Sequence, residues 1–290
     1  MAQTQIIQRR IRSVRNAGQI TKALEVVAAS RMRRIQDSVL KVRRYAELAD
    51  SIIHRVAQNP EAANYPYFRQ GTGKTKLYLV FNSDRGQAGA FNSNVFAQAH
   101  RSFLDDKSNG ITPSVIVFGR KGTSHFARLS DIELAGAYEN IADSPDVNVF
   151  APVLETIQNG MAEGQFSSVQ LIYTEFKSSL VQVVKQIQLL PVALEPAPDQ
   201  PSSDKVYEFE PDIEAVLEEA LKLYFEARIV GARVESAVSE NAMRMIAMGN
   251  AHRNASDLTD ALTLELNSVR QAAITQEIAE IIAGSEAIAA

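Results

Sequence analysis

The sequence predicts an α/β protein, helix-rich and α+β overall, in which long N- and C-terminal helices pair as a coiled coil and a small α/β domain is inserted between them. Three observations lead there. Every proline lies between Pro60 and Pro211, so both ends can run as unbroken helices. Seventeen of the twenty Phe and Tyr residues and ten of the fourteen glycines fall between 60 and 210, the profile of a compact domain. The two ends carry opposite charge: residues 3–57 hold twelve Lys or Arg against four Asp or Glu, and residues 211–284 hold six against twelve. A basic helix and an acidic helix suit each other as partners. The expected segments are 1–59, 60–210 and 211–290.

The N-terminal helix is expected over 3–57, with Gly18 its only glycine. Apolar residues recur at Ile7, Ile11 and Val14, and again at Val42, Tyr45, Ala49, Ile52 and Val56. Between them, Ile20 to Ser30 is rich in small and β-branched residues and is expected to touch the partner helix tightly. Asn59 to Tyr67, with Pro60 and Pro66, reads as a linker. The inserted domain then alternates: a strand at 76–81, a helix at 94–103, a strand at 114–118 and a short helix after Gly119–Gly122. A short strand at 132–138, a helix at 147–161 and strands at 168–173 and 180–190 follow. This βαβα rhythm predicts a small, Rossmann-like sheet with some parallel pairing. Residues 191–205, with four prolines, read as a loop, and 206–209 as an edge strand.

Pro211 suits the first helical position, and Asp212 and Glu214 put negative charge at the positive end of the helix dipole. With Gly284 as its stop, the helix would be roughly 110 Å long, against roughly 80 Å for the N-terminal one. Stepping by four and three from Ile213 through Leu217, Tyr224, Val234, Val238, Met248, Leu262, Leu266 and Val269 traces a coiled-coil seam. Asn241, His252 and Thr259 fall on that seam, and there the pairing is expected to be looser or the partner to change. The length mismatch leaves Val269, Ile274, Ile278, Ile281 and Ile282 without an internal partner. Mixed with Arg270, Gln271 and Gln276, they suggest a helix end that inserts into another protein.

Composition excludes much. Without cysteine there are no disulfides, thiolate sites or cysteine nucleophiles. The four histidines are scattered without metal-ligand spacing. No apolar run is long enough to cross a bilayer, and the basic N-terminus lacks a signal-peptide core, so a cytoplasmic chain is expected. Two stretches invite a nucleotide-binding reading. Gly71-Thr72-Gly73-Lys74-Thr75 contains G-K-T, but Phe68 stands where a phosphate loop needs glycine, and the stretch precedes a strand. Asp84-Arg85-Gly86-Gln87-Ala88-Gly89 follows a strand but lacks G-x-G-x-x-G spacing and reads as a tight turn. Besides a shaft, the residues leave open a small nucleotide-binding enzyme with helical arms and a basic coiled-coil adaptor for nucleic acid. The acidic C-terminal helix already accounts for the basic arm.

Ile11-Arg12-Ser13-Val14, Gln19-Ile20-Thr21-Lys22-Ala23-Leu24 and Ser83-Asp84-Arg85-Gly86 resemble the F-type ATP synthase gamma subunit family. So do Ser239-Glu240, Arg244-Met245 and Arg270-Gln271-Ala272-Ala273-Ile274-Thr275-Gln276-Glu277, and the resemblance spans essentially the whole chain. It implies an antiparallel coiled coil turning inside a hexamer of alpha and beta subunits. The inserted domain would sit at the base, beside the epsilon subunit and the membrane ring of c subunits. It implies a non-catalytic rotor, one copy per complex, on the cytoplasmic face of the membrane, with ATP, ADP and Mg²⁺ bound by its partners and no cofactor or nucleic acid of its own. Lys22, Leu24, Arg270, Gln271, Thr275 and Gln276 match positions that contact the hexamer, and Tyr207 and Glu208 match the foot near the c-ring and epsilon. Gln87-Ala88 and Asn250-Ala251-His252-Arg253 depart from the family pattern.

Overall fold

The computed structural model describes residues 2–59, 65–192, 209–210 and 212–289, with side chains for those between 4 and 283. Its elements are α1 (Ala2–Ala57), β1 (Thr75–Phe81), α2 (Phe91–Ser108), β2 (Thr112–Phe118) and α3 (Arg120–Phe126). They continue with β3 (Glu133–Tyr138), α4 (Ala151–Ala162), β4 (Phe166–Phe176), β5 (Gln182–Leu190) and α5 (Ile213–Ala289). Pro211 and most of the edge strand expected at 206–209 lie outside the described residues. At the start of α5, Asp212 accepts the Ala215 N–H at 2.8 Å, an N-cap rather than a first-turn charge. Gly284 does not stop α5. A glycine inside a helix costs only about 1 kcal/mol relative to alanine, and the residues after it, free of proline, carry the helix to Ala289.

Contacts group the chain into two units, residues 1–28 with 244–290, and residues 29–243. The first is an antiparallel helix pair. On α5, Met248, His252, Ala255, Thr259, Leu262, Leu266, Val269 and Ala273 are all at least partly buried, a sustained seven-residue repeat. Ile7 and Ile11 of α1 pack with Leu262, flanked by Val14, Leu266 and Val269. His252 and Thr259 do not loosen the pair. A Cβ at Gly18 would meet the Ala255 Cβ at 3.2 Å, so the backbones approach closely, and His252 Nδ1 lies 2.9 Å from the Gly18 carbonyl to which it donates. Thr259 returns its hydroxyl to the Ala255 carbonyl at 2.8 Å. Ile20, Val26 and Val27, expected against the partner helix, are instead exposed, because the buried phase of α1 passes through Gly18 and Ala28.

The second unit is built on a five-stranded sheet of order β3-β2-β1-β4-β5, parallel except for the β4–β5 hairpin. Strand residues alternate between two cores. Leu77, Leu79, Phe81, Ile116, Phe118 and Leu171 face α4 and the 29–57 and 213–243 stretches of α1 and α5. Tyr78, Val80, Val115, Val117 and Ile172 face α2 and α3. The sides follow from handedness: β1→β2→β3 steps one way and the crossover to β4 returns the other, so right-handed connections put α4 opposite α2 and α3.

Within this unit Met32, Ile35, Val39, Ala49, Ile53 and Val56 form the buried stripe of α1. Tyr45 and Ile52, expected on that stripe, are 43% and 40% exposed; the heptad phase selects Ala46 and Ile53 instead. The 232–242 stretch of α5 is buried on every side, Arg233, Glu235, Ser236, Ser239, Glu240 and Asn241 included.

The close approach at Gly18 can be tested by Gly18→Leu. The larger side chain overpacks a site already in contact, with an expected loss of about 1–3 kcal/mol. Thermal melting followed by circular dichroism at 222 nm should show an early loss of helix, and an unchanged melt would contradict the contact.

Candidate functional site

The turns that invited a nucleotide-binding reading are filled by the protein itself. After β1, Asp84 Oδ1 accepts the backbone N–H groups of Arg120 at 3.0 Å and Asn140 at 3.1 Å. Its carboxylate therefore sits at the N-terminus of α3, where a phosphate would have to compete with it. Asn92 accepts the Ser83 N–H at 3.0 Å and donates to the Ser83 hydroxyl at 2.7 Å, and that hydroxyl donates to the Arg85 carbonyl at 2.7 Å. The turn's own polar groups are thus engaged with one another. Before β1, Gly71 donates its N–H to the Ser167 carbonyl at 3.0 Å, and a Cβ at Gly71 or Gly73 would collide with the Phe166 or Gln165 carbonyl. Those glycines admit a neighbouring backbone rather than cradle an anion.

The histidines are less scattered than the sequence suggests, since the fold brings His100 of α2 and His125 of α3 together. Their Nε2 atoms lie 2.8 Å apart, ring centroids 5.1 Å apart, so the two nitrogens point at each other and share a proton. Lone pairs aimed along one line do not converge on a metal ion. Among the described residues no group of three His, Cys, Asp or Glu could hold one. His125 also stacks on Phe96 at 3.9 Å. Burial, with His100 and Arg128 nearby, pushes its pKa below the ordinary 6.5.

The six residues expected to contact a partner all belong to the first unit, and the fold leaves most of them facing outward. Lys22 is 51% exposed and pairs with Glu25 at 3.1 Å, one turn along the same helix; Leu24 is half-buried. Arg270, Gln271, Thr275 and Gln276 are exposed. Thr275 donates to the Gln271 carbonyl at 3.0 Å, and Gln276 to Glu280 at 2.8 Å, so both side chains are held against the helix. Around them every described side chain after Ala273 is exposed, among them Ile274, Ile278, Ile281 and Ile282. A second apolar group, Ile20, Val26 and Val27, flanks Lys22 and was missed as a surface; the buried phase Gly18, Ala28 was the available signal. Tyr207 and Glu208 lie outside the described residues.

The ATP synthase family model matches residues 3–288. Over 292 residues the chain is 39% identical to the ATP synthase gamma chain of Chloroflexus aurantiacus, with 99% of each covered. It is 36% identical over 293 residues to that of Heliobacterium modesticaldum, covering 97% of this chain and 98% of the relative. The chain belongs to the ATP synthase gamma chain family. Among solved structures, this gamma-family chain is similar to one from the central stalk and c-ring of the Tetrahymena thermophila mitochondrial ATP synthase. That match has 26% identity, a TM-score of 0.60 and covers 80% of this chain and 99% of that one. At 17% identity it shares the fold of a chain in the Euglena gracilis mitochondrial ATP synthase, with a TM-score of 0.68 and coverage of 99% and 95%.

The depressed His125 pKa gives the gamma-family chain a defined acid sensitivity. The unfolded histidine binds its proton first as pH falls, so the contribution of neutral His125 is present above about 6.5 and is lost as pH drops below it toward the folded value. Melting temperature should therefore fall as pH drops below about 6.5, and His125→Asn should flatten that slope. Equal slopes in both proteins would contradict the assignment.

Proposed function

We propose that the chain is the central-stalk rotor subunit of an F-type ATP synthase, carrying torque between an ion-driven c-ring and a catalytic hexamer of alpha and beta subunits. The observation that carries this reading is the end of α5. Beyond Ala273 it presents four exposed isoleucines, Ile274, Ile278, Ile281 and Ile282, among threonine, glutamine and glutamate. Exposed apolar side chains in such number on a helix end suit insertion into a partner rather than contact with water. Arg270, Gln271, Thr275 and Gln276 then meet the hexamer near the apex, and Lys22 and Leu24 meet it lower, beside Ile20, Val26 and Val27. Tyr207 and Glu208 belong to the foot, near the c-ring and epsilon subunit.

On this reading the chain catalyses nothing. ATP, ADP and Mg²⁺ bind to its partners, and it imposes an angular order on their sites. No described helix is long and apolar enough to cross a membrane, so attachment to the cytoplasmic face would come through the c-ring contact. One copy per complex suits an axle, and nucleic acid has no part.

Co-expression with alpha and beta subunits should give a stable complex whose ATPase activity depends on this chain; failure to co-purify would sink the proposal. Deleting the residues after Ile274 should weaken assembly or coupling while the sheet unit keeps its fold, since no described side chain there is buried. Loss of the whole chain's helical melt on truncation would contradict the uncovered end.

A further inference from the structure

A doubly wound sheet normally takes its ligand at the carboxyl ends of its strands. Here the corresponding strand end meets α5. The β1–β4 ladder stops at Val80 and Ile172, while β4 continues to Phe176. The alternate backbone groups that β1 would have paired, those of Thr174 and Phe176, are buried and need partners. Helix side chains supply all four. Ser236 accepts the Thr174 N–H at 3.3 Å, and Ser239 donates to the Thr174 carbonyl at 3.1 Å. Glu235 accepts the Phe176 N–H at 3.1 Å, and Arg43 of α1 donates to the Phe176 carbonyl at 2.6 Å.

Arg43 also grips Glu235 through two bonds of 2.9 and 3.1 Å, so one fork ties together α1, α5 and β4. One heptad away on each helix the arrangement is reversed: Arg228 of α5 makes two bonds, of 2.9 and 2.5 Å, to Asp50 of α1. On the far side of the sheet, Arg233 donates to the Ile141 and Ala142 carbonyls, just past β3, at 2.6 and 3.1 Å. Residues 233 to 239 of α5 are thus bonded to β4, to the segment after β3 and to α1. The apolar contacts of α5 with the sheet concentrate N-terminal to this stretch, from Leu217 to Ala232.

We propose that Arg233, Glu235, Ser236 and Ser239, with Arg43, form the torque-bearing joint between the sheet and the two helices. The inference rests on the rotor reading above. Apolar burial is non-directional and resists separation more than rotation. Hydrogen bonds weaken steeply when bent, so a bonded strand end resists the turning of a helix about its own axis. Serine hydroxyls and a forked arginine set at fixed positions on β4 are suited to that task, whereas the apolar contacts alone would let α5 creep under load.

The test uses the whole complex in inverted membrane vesicles, comparing ATP hydrolysis with ATP-driven ion pumping. Glu235→Gln and the double variant Ser236→Ala/Ser239→Ala should largely keep hydrolysis and lose more than half of the pumping per ATP hydrolysed. Val95→Ala, in the core between the sheet and α2, supplies a destabilised control away from the joint. It should lower melting temperature without altering the pumping-to-hydrolysis ratio. Pumping per ATP at the unsubstituted level in the serine variant would overturn the joint. A control that uncouples as strongly as the joint variants would also overturn it, because stability alone would then be the cause. If Glu235→Gln blocks assembly, the serine variant, which removes no charge, decides. A failure of the unsubstituted chain to assemble would instead overturn the rotor reading itself.

Discussion

The second unit depends on one unfinished strand. β4 outruns β1, and the backbone groups of Thr174 and Phe176 left without a ladder partner are completed by side chains of α5 and α1. A buried backbone group without a partner costs on the order of 1–3 kcal/mol, so these contacts constrain where the helices can lie. That need explains why Glu235, Ser236 and Ser239 occupy a stretch of helix buried on all sides, a place where side chains are usually apolar. It also explains Glu235, a buried carboxylate that is tolerable because an arginine and a backbone N–H both meet it. In the reversed pair, burial raises the Asp50 pKa despite Arg228 beside it.

The two units use α5 in different ways. In the sheet unit it is held by apolar packing at Leu217, Leu221, Phe225 and Ile229, and then by the polar contacts at 233–239. In the helix-pair unit it keeps a narrow seam, and the backbones close on each other where Gly18 meets Ala255. Small residues at such a crossing allow a thin pair, which a shaft turning within a surrounding ring requires. Past Ala273 the seam ends and the exposed isoleucines begin.

Much of this was legible in the sequence. Proline-free ends and a persistent seven-residue repeat located both long helices, and short apolar runs with β-branched residues located all five described strands. The seam after Met248 followed the expected positions. Phase was harder where apolar residues stand side by side: Tyr45-Ala46 and Ile52-Ile53 each offer two registers, and the burial of neighbours decides between them. Ile20, Val26 and Val27 misled for the same reason, since β-branched bulk looks like core until Gly18 and Ala28 set the face. That Arg270, Gln271, Thr275 and Gln276 face outward was recognisable from their mixture with apolar residues past the end of the shorter helix. The bonded strand end was not legible. It arises from a length mismatch between strands far apart in sequence, and nothing in the pattern of α5 ties Glu235, Ser236 and Ser239 to that mismatch.

The central claim is that α5 is clamped in its middle and uncovered at its end. Native-state hydrogen exchange on the isolated chain tests it most directly, because exchange reports local opening along one continuous helix. Amides of 232–242 should be the slowest in α5 and those of 274–283 among the fastest. Exchange at 232–242 as rapid as at 274–283 would contradict the account.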